Sequence, residues 1–198
     1  IFKAFTAPMT PRMSGSFSKG RQTMERYVLG VDIGSGSVKL TLLSQGGRIA
    51  GTAGCEYPTS HPRVNWCEQD PEDWCGAFKT AFAQLLQQTG ITAQQIEALA
   101  PDAATHTAVL LGGDKKPLRP AILWTDQRCK TQVQWLRETH GDIIKEQSLN
   151  TPTTVWTLPQ FLWLQENEPE VWAKTEHILF AKRKKFHDRT SKFLFSTV

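Results

Sequence analysis

A carboxylate followed closely by small and hydroxylated residues is the part of this sequence best suited to chemistry. The stretch reads "VDIGSGSVK", with Asp32 before a turn that contains two Gly and two Ser. Backbone N–H groups and hydroxyls in such a turn can hold phosphate oxygens, and the carboxylate can hold a magnesium ion through water. An ordinary Gly-rich hairpin with a solvated Asp is the alternative interpretation of these residues alone.

Two familiar phosphate-binding loops do not fit this turn. A Walker loop requires Gly-Lys-Ser or Gly-Lys-Thr after four intervening positions, and no such triplet follows Gly34. A dinucleotide-binding turn would have a third Gly where Lys39 stands and would lead into a helix, whereas residues 38–43 are an apolar run typical of a strand. The turn is therefore predicted to join the two strands of a hairpin.

The elements that must position this turn begin with a third strand in "GGRIAGTAGCEYP", which is followed by the clearest helix of the sequence. Asp70 is the expected N-cap of that helix, Pro71 lies in its first turn, and Gly90 follows its last residue. A sheet should pack on the apolar face of the helix. That face consists of Trp74, Phe78, Phe82, Leu85 and Leu86.

The remaining sequence alternates short strands with helices. "IEALA" and "HTAVLL" are predicted strands around a small-residue turn, "GGDKKP" closes another hairpin, and "AILWTDQR" is a buried strand that runs into a helix ending at Gly141. Two further helices have Pro159 and Pro169 in their first turns, and "HILF" is a further candidate strand. Antiparallel strands that come first and then alternate with helices predict a mixed α/β sheet.

Composition excludes several classes of protein. No run approaches the roughly 18 apolar residues of a membrane helix, which indicates a soluble chain. Of the net charge of +4, residues 1–23 contribute +4 and residues 181–198 contribute +5, so the middle carries −5, unlike a nucleic-acid-binding surface. The four Cys form no C-x-x-C pair, which disfavours a zinc site or a catalytic Cys and favours the reduced thiols of a cytoplasmic protein.

The motif "VDIGSGSVK" resembles the first phosphate motif of the actin, hexokinase and sugar-kinase superfamily. Three later segments strengthen the resemblance by their order and spacing: "HPRVNWCEQDPEDWC", "LRPAILWTDQRC", and "PQFLWLQENEPEVW" with "HILFAK". Together they are similar to the N-terminal half of a carbohydrate kinase of the FGGY family, which contains xylulose, glycerol, glucono- and fucose kinases. The xylulokinase branch is the most similar, over about residues 26–182.

This resemblance implies an α/β, ribonuclease-H-like fold with a mixed sheet and flanking helices, as an incomplete N-terminal domain at residues 24–182. It implies phosphorylation of a ketose or polyol hydroxyl, with ATP and Mg²⁺ as cofactors, in a cleft between two such domains of a cytoplasmic enzyme. The binding partner would be a small-molecule sugar or polyol, and neither nucleic acid nor a membrane is expected as a partner. The full-length protein could be a homodimer. A shortened, non-catalytic module that binds nucleotide or a partner is the alternative.

The resemblance also implies roles for residues of the phosphate side. Asp32 would lie at the γ-phosphate and would hold the magnesium ion through water. The phosphate hairpin would consist of Gly34, Ser35, Gly36 and Ser37. Lys39 matches a motif position too, with a solvated strand residue as the alternative.

On the sugar side, Thr105 and His106 stand where xylulokinases have a Met-His pair that touches the sugar. The WTDQR segment would lie beside the substrate through Trp124, Asp126 and Arg128. Asp126 and Arg128 are the favoured residues for polar contacts with the substrate. A structural interpretation, as a packed ring and a helix cap, is preferred for Trp66, Glu68 and Asp70.

The chain departs from the family pattern in two places. "APDAATHT" replaces the usual Gly-Gln-Met-His run, with Pro101 where a strand donor is expected and Thr105 in place of Met, so the identity of the sugar stays open. After Lys182 the pattern ends, and the divergent basic tail 183–198 is interpreted as a truncated or frameshifted end rather than an interaction segment. The family's general-base Asp would lie beyond it, so no catalytic residue is assigned. The leader 1–23 is set aside as sequence read upstream of Met24 or, less favoured, a transit peptide.

Overall fold

Residues 25–180, the part of the chain that the computed structural model describes, form eight β-strands and four α-helices. The strands are β1 (Tyr27–Ile33), β2 (Ser37–Ser44), β3 (Ile49–Glu56), β4 (Glu68–Gln69), β5 (Ile96–Ala103), β6 (Ala108–Leu111), β7 (Ala121–Ile122) and β8 (His177–Phe180). The helices are α1 (Pro71–Thr89), α2 (Lys130–Ser148), α3 (Thr157–Asn167) and α4 (Pro169–Lys174). The expectations for the leader 1–23 and the tail 183–198 lie outside the described residues.

The first sheet has the strand order β3-β2-β1-β5. β2 is antiparallel to both β1 and β3, whereas β5 is parallel to β1. These pairings confirm the predicted hairpin, the third strand and the mixed character of the sheet. Every second residue of β1 and β2 is buried, because neighbouring side chains of a strand point to opposite faces. The register pairs Leu29 with Leu42 and Val31 with Leu40, so one face of the sheet forms the core.

Helix α1 covers that face and has both predicted ends. Asp70 Oδ1 accepts a hydrogen bond from the Glu72 backbone N–H (2.9 Å), and Gly90 follows the helix in the left-handed conformation with φ 68°. The helix lies very close to β3 at Gly51, where an added Cβ would be 2.5 Å from Thr89 Cγ2. A side chain at this position would therefore require the Thr89 side chain or the helix to shift.

The second sheet is small, antiparallel throughout, and ordered β4-β7-β6-β8. The predicted strands "IEALA" and "HTAVLL" thus belong to different sheets, since β5 pairs with β1 and β6 pairs with β7 and β8. "HILF" is confirmed as strand β8, and α3 and α4 contain Pro159 and Pro169 in their first turns as predicted. A second buried cluster, which includes Val133, Trp163 and Leu164, joins this sheet to the helices.

Three local expectations were wrong. The strand predicted in "IEALA" is too short, because β5 continues through Pro101 to Ala103; within the described residues β5 pairs with β1 alone, and an edge strand tolerates proline. The strand predicted in "AILWTDQR" is only two residues long and is separated from α2 by a turn. Helix α2 runs past Gly141 to Ser148, because an internal Gly costs a helix only about 1 kcal/mol, and Leu149 ends it at φ 54°.

Among the helices of residues 25–180, none is both long enough and apolar enough to cross a membrane.

Candidate functional site

The turn between β1 and β2 is held through its carbonyl oxygens. Gly34 N–H donates to Ser37 O (3.0 Å) and closes the turn. The Tyr57 hydroxyl donates to Gly34 O (2.6 Å), and the Tyr57 backbone N–H donates to Gly36 O (3.2 Å). Between them, the Gln69 side-chain amide donates to Ser35 O (2.6 Å). Three successive carbonyls of the turn are therefore bound by the rest of the protein.

This anchoring determines where the N–H groups of the turn point. In a trans peptide unit the C=O and the following N–H point in opposite directions, and all peptide bonds of the described residues are trans. With the carbonyls of residues 34–36 bound by the protein, the next N–H groups face away from their anchors. Those of Ser35 and Gly36 donate to no acceptor within the described residues. Adjacent free N–H groups of this kind are the donors from which backbone anion-binding sites are built.

Asp32 lies at the end of β1, immediately before this turn. Lys39 on β2 and Asp102 on β5 are its partners in the strand register, and all three residues are exposed. The Asp32 carboxylate is close enough to Tyr57 to affect its titration. Burial raises the pKa of the Tyr57 hydroxyl to about 12, and the negative charge of Asp32 contributes to the same rise. An exposed carboxylate thus adjoins the free N–H groups.

Trp124 brings the loop after β7 to the turn. Its indole Nε1–H donates to Ser35 Oγ (3.2 Å), while 40% of the residue stays exposed. The loop itself is fixed by backbone hydrogen bonds, from Leu123 N–H to Cys67 O (3.0 Å) and from Gln127 N–H to Asn65 O (3.0 Å). The predicted sugar-side residue Trp124 and the predicted phosphate-side residue Ser35 are therefore in contact.

Thr105 and His106 lie in the turn between β5 and β6, and both are exposed. The turn begins beside the end of β1, where Ala104 N–H donates to Ile33 O (3.0 Å). Because β1 and β5 are parallel, the turns that follow them lie at the same edge of the sheet. His106 has φ 53°, a left-handed conformation that is uncommon for residues other than Gly. The two residues thus lie at the same end of the sheet as the turn between β1 and β2, beyond the carboxyl ends of β1 and β5.

Asp126 and Arg128 are buried and bound to each other. Asp126 Oδ2 accepts from Arg128 Nη2 (2.7 Å) and from the Cys67 backbone N–H (2.6 Å), and Asp126 Oδ1 accepts from Arg128 Nε (2.9 Å). Both side chains are 0% exposed. The Arg128 guanidinium lies 3.7 Å from the ring centre of Trp66. In this chain the two polar side chains hold the loop that carries Trp124, and their contact with a sugar stays a prediction.

Glu68 connects this pair to a larger buried cluster of charges that sequence reasoning did not find. It lies 2.7 Å from Arg128 Nη1 and also pairs with Arg119, whose Nε lies 2.9 Å from Glu168. Burial alone would lower the pKa of Arg128, but its hydrogen bonds with Asp126 and Glu68 outweigh that effect and raise the pKa. The structural interpretation is thus confirmed for Trp66 as a packed ring and for Asp70 as a helix cap, while the ion pairs of Glu68 were not expected.

No metal cluster accompanies these residues in the described range. Within residues 25–180, no group of three or more His, Cys, Asp or Glu could hold a metal ion, and Cys55, Cys67, Cys75 and Cys129 are free thiols. Burial raises the pKa of the Cys129 thiol to about 11, which makes it unreactive at neutral pH. Any metal ion at the turn would therefore take a carboxylate oxygen together with water and ligand oxygens, which is the coordination that Mg²⁺ prefers.

The curated proteins to which this chain is similar include several xylulose kinases. The chain is 36% identical over 156 residues to a xylulose kinase of Lactococcus lactis subsp. lactis and 33% identical over 156 residues to a xylulose kinase of Escherichia coli. These alignments cover 79% and 78% of this chain but 31% of each relative, so the chain spans about a third of the length of the curated relatives it matches.

The fold agrees with solved structures of the same kind. A crystal structure described as a xyloylose kinase from Brucella ovis has a TM-score of 0.74 and 28% identity, over 78% of this chain and 32% of that chain. The glycerol kinase of Plasmodium falciparum with ADP, at 18% identity, has the same fold with a TM-score of 0.67, over 76% of this chain and 30% of its own. These likenesses confirm the expected α/β architecture.

A family model identifies the shared unit. The model of the N-terminal domain of the FGGY family of carbohydrate kinases matches residues 27–194, twelve residues beyond Lys182, where the resemblance was expected to end. From the anchored turn, the fold and this match, we conclude that the chain belongs to the FGGY family of carbohydrate kinases.

Proposed function

We propose that the protein acts in ATP-dependent phosphorylation of a sugar, with a ketose or polyol hydroxyl as acceptor, in the manner of a xylulokinase. The observation that carries the proposal is the anchored turn, whose outward N–H groups adjoin the Asp32 carboxylate and whose Ser35 hydroxyl accepts a hydrogen bond from Trp124. The names of the relatives, mostly xylulose kinases, support the substrate class.

On the phosphate side, the N–H groups of Ser35 and Gly36 would bind phosphate oxygens, assisted by the hydroxyls of Ser35 and Ser37. Lys39 would add a positive charge beside them, since it is the register neighbour of Asp32 on β2. Asp32 would hold Mg²⁺ through water, and the ion would neutralise phosphate charge when bound. Holding and charge neutralisation are the main contributions of a protein to phosphoryl transfer.

On the sugar side, the exposed part of Trp124 and the turn with Thr105 and His106 would contact the acceptor. The acceptor oxygen forms a bond to the γ-phosphorus while the bond from that phosphorus to the ADP oxygen breaks, and the hydroxyl proton passes to a general base. We assign that base to a part of the whole enzyme that lies outside the described residues, in keeping with the share of the relatives that this chain spans. Asp126 and Arg128 would act by positioning Trp124.

The remaining expectations belong to the same proposal. The partners would be ATP, Mg²⁺ and one small sugar or polyol, without nucleic acid, and the complete protein could be a homodimer. The reaction would take place in the cytoplasm, where free thiols such as those of this chain persist.

A second candidate function is a non-catalytic module that binds nucleotide or a protein partner. The observation that favours it is the anchored turn itself, because its free N–H groups could bind phosphate without a catalytic site around them.

An exchange experiment separates the two functions. Residues 27–180 would replace the matching segment of the Lactococcus lactis xylulose kinase, and sugar-dependent ADP release would be measured with Mg²⁺ and ATP. We expect turnover, and we expect Asp32→Ala to lower it by roughly 10²–10³-fold, as for other groups that stabilise transition-state charge. Asp73→Ala, which removes an exposed carboxylate of α1, is the matched control.

Circular dichroism would establish that each hybrid is folded. A folded hybrid that binds Mg·ATP but releases no ADP would favour the binding module. Normal turnover of Asp32→Ala would remove Asp32 from the site and contradict the proposed function.

A further inference from the structure

Gln69 is a buried polar residue to which neither the phosphate side nor the sugar side assigns a role. It lies between the ion-pair partner Glu68 and the helix cap Asp70 and is 2% exposed. Its Nε2 donates to Ser35 O (2.6 Å) and to Thr59 Oγ1 (2.8 Å), and its Oε1 accepts from Trp74 Nε1 (3.0 Å). Both N–H groups and the carbonyl of the amide are thus hydrogen-bonded, as a buried amide requires, and one of these bonds ends on the turn.

The bond to Ser35 O acts on the central peptide unit of the turn. That unit consists of the Ser35 carbonyl and the Gly36 N–H, which point in opposite directions because the unit is trans. Holding the oxygen towards the core directs the Gly36 N–H away from it. Tyr57 binds the carbonyls on either side, so Gln69 holds the one unit that Tyr57 leaves free.

Gly36 itself does not resist rotation of this unit. An added Cβ at Gly36 would meet no atom within 4 Å, so neighbouring side chains do not fix the position of its backbone. Glycine also adopts many backbone conformations at little cost. Without the Gln69 bond, the unit could turn its N–H away from an incoming phosphate.

We propose that Gln69 is a positioning residue for triphosphate binding, which acts by fixing the direction of the Gly36 N–H. It does not touch the nucleotide. This inference rests on the proposed function, because it assumes that the turn binds phosphate.

The test uses the 198-residue chain with glycine-selective isotope labelling and nuclear magnetic resonance. Magnesium tripolyphosphate and Mg·ATP are the two probes, and the shift of the Gly36 amide signal gives a Kd for each. The signal is assigned by its loss in Gly36→Ala. Gly47 and Gly90, which lie in other turns, report whether the fold is intact.

Gln69→Met keeps the length of the side chain and removes all three hydrogen bonds. Thr59→Val and Trp74→Phe are matched controls, since each removes one other partner of Gln69 and leaves the Ser35 bond. We expect Gln69→Met to raise the Kd about tenfold, because the Gly36 N–H would lose its hydrogen bond to the charged phosphate. Both controls should change the Kd by less than about twofold. Gln69→Glu keeps the acceptor for Trp74 but, when ionised, has no N–H to donate, and should also weaken binding.

Each outcome decides one of the two claims. If the wild-type Gly36 signal responds and Gln69→Met binds equally well with intact Gly47 and Gly90 signals, the role of Gln69 is refuted and the proposed function stands. If the wild-type signal responds to neither probe, phosphate binding fails and both claims fall. If both Gln69 variants lose the Gly47 and Gly90 signals, Gln69 is a folding residue and the positioning role is refuted.

Discussion

Tyr57 connects the turn to a measurable titration. Burial, followed by the negative charge of Asp32, raises the pKa of its hydroxyl to about 12, while an unfolded Tyr titrates near 10. The unfolded chain therefore loses this proton first. The free energy of unfolding should fall as the pH rises from about 10 to about 12, and the stabilisation is fully present below that range.

The titration can be observed directly because the sequence has two tyrosines. In Tyr27→Phe, the phenolate absorbance of native protein should rise with a midpoint near the Tyr57 value, and adding Asp32→Asn should lower that midpoint. In Tyr57→Phe, the loss of stability between these pH values should be smaller. A native midpoint near 10 in Tyr27→Phe would mean that Tyr57 is not held as described.

His106 gives the second prediction at the residue scale. It lies at the same end of the sheet as the turn between β1 and β2. In the proposed function this position would face the sugar. In the hybrid kinase, His106→Ala should raise the KM for sugar more than the KM for ATP. Steady-state kinetics with each substrate varied in turn would measure this, and His140→Ala, a histidine of α2, is the control. Equal effects on both substrates, or loss of folding, would indicate a structural histidine instead.

The residues of the turn could be predicted from sequence because the signal is local: a carboxylate, two Gly and two Ser within a few positions. The residues that hold the turn could not. Tyr57, Gln69 and Trp124 contact it across 23, 34 and 89 positions of sequence. Gln69 and Trp124 lie in segments that carry the family resemblance, but no local pattern indicates that they contact this turn. Asp126 and Arg128 are expected beside the sugar from the family resemblance alone, and only the fold reveals that the two side chains form an ion pair in the interior.

At the scale of elements, the contact between α1 and β3 depends on the absence of a side chain at Gly51. An added methyl group would lie 2.5 Å from Thr89 Cγ2 and 3.2 Å from Leu85 Cδ1. Thr89 cannot rotate freely, because its hydroxyl donates to Leu85 O (2.8 Å). We expect Gly51→Ala to lower the free energy of unfolding by about 1–3 kcal/mol through overpacking.

A double-mutant cycle assigns this effect to one contact. Thr89→Ser removes the Cγ2 methyl group that an added Cβ at Gly51 would meet, and keeps the hydroxyl. Gly51→Ala should therefore lower the free energy of unfolding less in the Thr89→Ser background. Gly76→Ala in α1, where an added Cβ meets no atom within 4 Å, is the control and should not destabilise the protein. Urea unfolding measures all four variants. Additive effects of the Gly51 and Thr89 changes would refute the steric explanation.

Elements with strong end signals could be predicted, and those without them could not. Helix α1 has its N-cap and its terminal Gly at the expected residues, because capping is decided by neighbours within one turn. Helix α2 begins at Lys130 without a side-chain cap and passes through Gly141, so neither end had a local signal. The division of β5 and β6 between two sheets depends on pairing with β1 and β8, which are distant in sequence.

At the scale of the whole molecule, we expect the 198-residue chain not to phosphorylate sugar by itself. In the proposed function the described residues would provide one phosphate-binding turn and one side of a sugar site, and this chain spans about a third of the length of its relatives. A missing general base lowers a rate by typically 10²–10⁴-fold, and the loss of substrate positioning lowers it further. The measurement is ADP release with Mg·ATP and a panel of pentuloses, hexuloses and polyols, with the hybrid kinase as positive control. Sugar-dependent turnover of order 1–10³ per second would contradict it.

The bound carbonyls of the turn have a thermodynamic consequence. Because residues 34–36 are fixed by Tyr57 and Gln69 during folding, the ordering entropy of this segment is lost before any ligand arrives. The turn is thus preorganised, and the phosphate binding proposed for it would need little further loss of backbone freedom. Calorimetry of tripolyphosphate binding should accordingly show a smaller unfavourable entropy than the same titration of Tyr57→Phe, in which one of these ties is absent.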